Sequence, residues 1–134
     1  MTAGRGLALT AAAVACILIL DGCKSTPDPV AGEFTINLAT PNTDDGAILV
    51  KVTGTGAETV VGVSAACSAC KIFSGAVGSG EIRAVITGNI SAGAVARVSV
   101  SDTNNKASYS VQILDVASRT YVKRAVGGYS LTLQ

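Results

Sequence analysis

From Glu33 to the end, the chain alternates apolar and polar residues with a period of two. In EFTINLA, Phe34, Ile36 and Leu38 share one face, with Thr35 and Asn37 on the other. AILVKVT sets Ile48, Val50 and Val52 against Lys51, and Val61 and Val63 continue the pattern. EIRAVIT sets Ile82, Ala84 and Ile86 against Arg83 and Thr87, and AVARVSV sets Ala96, Val98 and Val100 against Arg97 and Ser99. SYSVQIL places Tyr109, Val111 and Ile113 opposite Ser110 and Gln112, and YSLTL places Tyr129, Leu131 and Leu133 opposite Ser130 and Thr132. Successive side chains of a strand point to opposite sides of the sheet, so this pattern gives each strand one buried face. The β-branched residues that dominate the apolar positions favour the same state.

Turn-forming residues separate the runs: Pro41 to Gly46, Gly54-Thr55-Gly56, Gly75 to Gly80, Gly88-Asn89, Asp102 to Asn105, and Gly127-Gly128. No long stretch beyond Cys23 repeats with a helical period. Short strands at a spacing of about 8–12 residues predict an all-β fold. With one polar face on each strand, the expected architecture is an antiparallel β-sandwich of about eight strands, its outer faces solvated.

The first residues follow different rules. Arg5 is the only charge before Asp21, and Gly6 to Leu20 forms an uncharged apolar run. As a helix that run covers about 22 Å at 1.5 Å per residue. Spanning a bilayer takes about 20 apolar residues, so the run is short for a membrane helix and suits the apolar part of an export signal. It closes on Leu20-Asp21-Gly22-Cys23, which resembles the lipobox of bacterial lipoproteins. The resemblance implies cleavage after Gly22 and lipid attachment at Cys23, although Asp21 departs from the family's preference for a small uncharged residue. At least two acyl chains then hold the protein stably on a membrane. Lys24, in place of an aspartate, implies the outer membrane where the host has one. The expected organisation is a signal peptide helix over 1–22, removed on export, a lipidated linker over 23–32 containing Pro27 and Pro29, and one domain over 33–134.

The run from Asp45 to Asp115 contains GAILVKVTG, EIRAVITGNISAGAVARVSVSD and SYSVQILDV. It resembles a cohesin-like or immunoglobulin-like sandwich, with Asn89-Ile90-Ser91-Ala92-Gly93 in the late turn between two long strands. It is also similar to small uncharacterised bacterial lipoproteins that carry one such domain. The resemblance implies a fold and no particular activity, since sandwiches host unrelated functions.

With Cys16 in the signal and Cys23 acylated, Cys67 and Cys70 are the remaining thiols. An exported pair tends to oxidise. Residues three apart on an extended strand lie about 10 Å apart, and a disulfide needs Cα atoms about 4.4–6.8 Å apart. A Cys67–Cys70 bond therefore predicts a turn between a strand ending near Ser64 and another starting near Lys71. A thioredoxin-type site would instead need a helix after the first cysteine, and a zinc site would need four ligands.

Asp44 and Asp45 with Asn42, and Asp102 with Asn104 and Asn105, make two oxygen-rich turns. Asp44, Asp45 and Asp102 are the candidates for calcium, but neither turn has EF-hand spacing. Turn residues bonding their own backbone are the preferred reading, and no metal or other cofactor is expected. Arg119, Lys123 and Arg124 read as a solvated basic loop, or as a cluster near anionic lipid.

The whole chain has a formal net charge of +1, no His, no Trp, three Tyr and two Phe. The charge offers no electrostatic footprint for nucleic acid. Without histidine the commonest general base is missing, and no Gly-x-Ser-x-Gly elbow occurs. Few aromatics are present to stack on sugars. The expectation is a lipid-anchored envelope module that works by binding a protein partner or by structural presence, and is not an enzyme. The alternatives are a carbohydrate or small-ligand module and, behind it, an envelope enzyme. A groove lined by Tyr109, Tyr121 or Tyr129 would favour the small ligand. A flat sheet face rich in small and apolar side chains would favour a protein.

Overall fold

The computed structural model describes residues 25–134. The predicted signal peptide and Cys23 lie outside the described residues. Nine strands follow: β1 (Gly32–Ala39), β2 (Asp45–Gly54), β3 (Val60–Ala65), β4 (Cys70–Ala76), β5 (Glu81–Ile90), β6 (Gly93–Val100), β7 (Tyr109–Ser118), β8 (Lys123–Arg124) and β9 (Ser130–Leu133). A single 3₁₀ turn, Lys106–Ser108, precedes β7.

The strands form two antiparallel sheets, with orders β3-β6-β1-β9 and β4-β5-β2-β7-β8. The molecule is the all-β sandwich that the alternation predicts. Phe34, Ile36 and Leu38 of β1, Ile48, Val50 and Val52 of β2, and Ile82, Ala84 and Ile86 of β5 are buried. Ala96, Val98 and Val100 of β6 close the same core. Ile86 and Val98 come from opposite sheets, because the chain crosses the sandwich between β5 and β6. Full burial of each such side chain stabilises the fold by about 1.5–3 kcal/mol before entropy is counted.

Three of the four register shifts bear on the faces and the site; the fourth, between Ile36 and Asn37, leaves Val95 of β6 as a bulge. At the start of β2, Gly46 is an extra residue against β7, while Gly88 and Asn89 of β5 oppose it on the other side, and Asp45 turns fully inward. A Cβ on Gly46 would come within 2.7 Å of the Arg119 backbone, so glycine lets the turn after β7 lie on β2. In β7, Leu49 faces Asp115 while Val50 faces Ile113, which leaves Leu114 as a bulge. The inward side then passes from Val111 and Ile113 to Val116 and Ser118. In β3, Val60 faces Val100 and Gly62 faces Ser99. Val61 is therefore the bulged residue and stands 69% exposed, against the expectation that it shares a buried face with Val63.

Lys123 and Arg124 also differ from expectation. They are not loop residues but a two-residue strand paired with Ala117 and Val116. This strand, β8, brings the count to nine and is too short for alternation to reveal.

Candidate functional site

At one end of the sandwich the first acidic turn meets the basic segment. Asp45 Oδ1 accepts hydrogen bonds from Arg124 Nη1 at 3.0 Å and from the Tyr129 hydroxyl at 2.8 Å. The Thr40 hydroxyl donates to Asp45 Oδ2 at 2.6 Å, and Asn42 Nδ2 donates to the Tyr129 oxygen at 2.6 Å. Arg124 Nη2 also bonds Asp44 Oδ1. That bond is the main reason the Asp44 carboxyl is held below the usual carboxylate range, and the same pair pushes the Arg124 guanidinium up. Arg119 donates to the Thr43 carbonyl at 3.1 Å, and Lys123 pairs with Asp115 at 3.3 Å. Two of the three basic residues are thus ion-paired, and Arg124 ties down a fully buried carboxylate.

Asp102 sits at the other end. Its Oδ1 accepts from the Val30 N–H at 3.0 Å and the Asn104 N–H at 2.9 Å. Val30 and Thr40 flank β1, whose eight residues span roughly 26 Å at about 3.3 Å each. The structure therefore does not bring Asp102 to Asp44 and Asp45. Within the first turn a guanidinium, not an oxygen cage, faces the carboxylates. Among the described residues no three His, Cys, Asp or Glu converge on one point.

Cys67 and Cys70 have their sulfurs at disulfide distance, with Cα atoms 5.3 Å apart. The Cys70 N–H donates to the Cys67 carbonyl at 3.2 Å, which makes the segment a turn. It carries the chain from β3 in one sheet to β4 in the other, as the spacing argument requires. Opposite Cys70, Gly88 adopts φ +130. A Cβ there would collide with the Ala69 carbonyl oxygen, so only glycine lets this turn rest on β5.

The three tyrosines do not share a groove. Tyr109 is buried against Phe34, and its hydroxyl accepts from the Asp102 N–H at 3.1 Å. Tyr129 serves Asp45. Tyr121 stands 94% exposed at the tip of the β7–β8 turn, with φ 65. An open groove of about 600 Å³ runs between β7 and β9, lined by Tyr109, Val111, Leu131 and Leu133.

The outer face of the five-stranded sheet carries an apolar row. Cross-strand register puts Phe73 beside Val85 and Val85 beside Leu49. This row crosses three strands spaced about 4.8 Å apart. Phe73 is 65% exposed, and Val85 and Leu49 are half-buried. Small residues continue the face at Ala47 and Ala117, beside Thr87. Lys71, Arg83 and Lys51 stand one position along the strands on the same side. Arg83 is paired with Glu81 at 2.9 Å.

Sequence reasoning did not find this row. Ile72 and Phe73 are adjacent apolar residues, so alternation cannot choose which one faces in. The signal that could have decided it is Cys70, whose bond to Cys67 fixes an inward position and makes Phe73 outward.

No family model, no curated protein and no solved structure matches the chain.

The arrangement can bind. The polar clusters at both ends are closed on themselves, and no buried side-chain polar atom among the described residues lacks a partner. The exposed apolar row faces away from the core, with Lys71, Arg83 and Lys51 along its sides and Asp115 beside Leu49 at its end.

Proposed function

We propose that the chain is a lipid-anchored, non-enzymatic binding module of the bacterial cell envelope that contacts a protein partner through the outer face of its five-stranded sheet. The row Phe73–Val85–Leu49 carries this reading. A large exposed aromatic in an apolar setting ringed by charge is the usual make-up of a protein interface centre. The anchor rests on the Leu20-Asp21-Gly22-Cys23 motif and the apolar run before it. The non-enzymatic part rests on a chain without histidine.

The test is the paired variant Phe73→Ala with Lys71→Glu in the full chain, cross-linked in intact cells and compared with Val61→Ala on the other sheet. Loss of the cross-linked species in the first, with retention in the second, is the expected result. Equal cross-linking in both would contradict the assignment of this face. A second reading, a small apolar ligand, draws on the groove between β7 and β9.

A further inference from the structure

The free edges of the two sheets are not alike. β8 has two residues, β9 has four, and β3 is interrupted by the Val61 bulge. Short edges and bulges are the devices by which sheets avoid pairing with other chains. β4 has neither: it runs seven residues with an unbroken register against β5.

Its backbone groups point alternately toward β5 and away from the sheet. The Val77 N–H donates to the Glu81 carbonyl at 2.9 Å, so these two form a hydrogen-bonded pair at the end of the β4–β5 ladder. Ala76 faces Ile82 and Phe73 faces Val85. Hydrogen-bonded and non-bonded pairs alternate in an antiparallel ladder. Gly75, Phe73 and Lys71 therefore bond β5, whereas Ile72, Ser74 and Ala76 direct both N–H and C=O away from the sheet. No strand among the described residues lies on that side.

We propose that β4 pairs antiparallel with β4 of a second copy of this chain, about a two-fold axis at Ser74. The side chains argue for a self-complementary edge. With Ser74 on the axis, the outward backbone groups of Ile72 pair with those of Ala76 in the partner copy. Phe73 then lies beside the second copy's glycine at position 75, in a non-bonded pair with Cα atoms about 4.5 Å apart. Glycine leaves the room that the Phe73 ring needs, and the ring covers the otherwise bare backbone. Lys71 falls opposite a valine, and the two lysines stand about 20 Å apart at 3.3 Å per residue. That is beyond the screening length of about 10 Å at 0.1 M salt. No like charges meet, and two five-stranded sheets become one. The inference rests on the edge backbone of β4 and stands whether or not the outer face binds a protein, although Phe73 belongs to both surfaces.

The test uses the full chain in detergent. Cα atoms of a hydrogen-bonded antiparallel pair are about 5.5 Å apart, within disulfide reach. Ser74→Cys should form a reductant-sensitive dimer under mild oxidation, while the parent chain and Thr132→Cys, on the free β9 edge, should not. Ser74→Pro removes an outward N–H and spares the ladder to β5. It should weaken association about tenfold by light scattering, the effect of losing hydrogen bonds of ordinary strength. A monomeric Ser74→Cys chain, equal dimer from Thr132→Cys, or undiminished association of Ser74→Pro would each overturn the proposal.

Discussion

The fully buried carboxylate of Asp45 is held by Arg124 from 79 residues further along the chain, with Nη1 3.0 Å from Oδ1. The Tyr129 hydroxyl donates to the same oxygen, so a single side chain ties the start of β2 to β8 and to the residue before β9. Buried charge is costly unless paired and hydrogen-bonded, and both oxygens of this carboxylate are satisfied. Asp45→Ala strands the Tyr129 and Thr40 hydroxyls and one arm of the Arg124 guanidinium, whose other arm keeps Asp44. Leaving buried donors unsatisfied typically costs about 1–3 kcal/mol. Urea midpoints should fall accordingly, far more than for Asp115→Ala, whose partner Lys123 is exposed.

Asp44 makes a pH signature. Its carboxyl is held below the usual range, chiefly by the hydrogen bond from Arg124. In the unfolded chain an aspartate titrates near pH 4. Its contribution to stability is therefore complete above about pH 4 and is lost as pH falls through the lower folded value. Urea midpoints between pH 6 and pH 2 should show this loss in the parent chain and a smaller one in Asp44→Asn.

Ile86 and Val98 are fully buried in one core from opposite sheets, while Arg83 and Arg97 face water. Ile86→Ala should cost about 2–5 kcal/mol and Val98→Ala somewhat less. Arg97→Ala should stay within about 0.5 kcal/mol, as exposed changes usually do. Because a one-residue slip exchanges the faces, tolerant core positions beside a sensitive Arg97 would contradict the register.

Cys67 and Cys70 should resist alkylation in the folded protein until reductant is added, and their mass should then rise by two hydrogens. Closing so small a loop stabilises the fold by roughly 2 kcal/mol on the chain-entropy formula. Quantitative labelling without reductant would show free thiols.

Much of the fold was legible because alternation is a local property. Phe34, Ile48, Ile86 and Val98 could be assigned to the core from their immediate neighbours. The disulfide turn followed from spacing and compartment. The bulges at Val61 and Leu114 were not legible, since an extra residue shifts faces only when a partner strand is present to define the register. Asp45 read as an ordinary turn residue because Arg124 is remote in sequence, and only the assembled sheet brings them together. For the same reason Lys123 and Arg124 read as a loop. The exposed row was hidden by the adjacency of Ile72 and Phe73 and by its spread over three strands.

The central claim, that the outer face of the five-stranded sheet is the binding surface, is tested most directly by site-specific photocrosslinking. A benzophenone side chain is introduced at Phe73 in the full chain, and at Val61 on the other sheet for comparison, and intact cells are irradiated. Both positions are exposed. The account predicts a discrete protein adduct, distinct from a dimer of the chain, from Phe73 and none from Val61. Adducts from Val61 with none from Phe73 would contradict it.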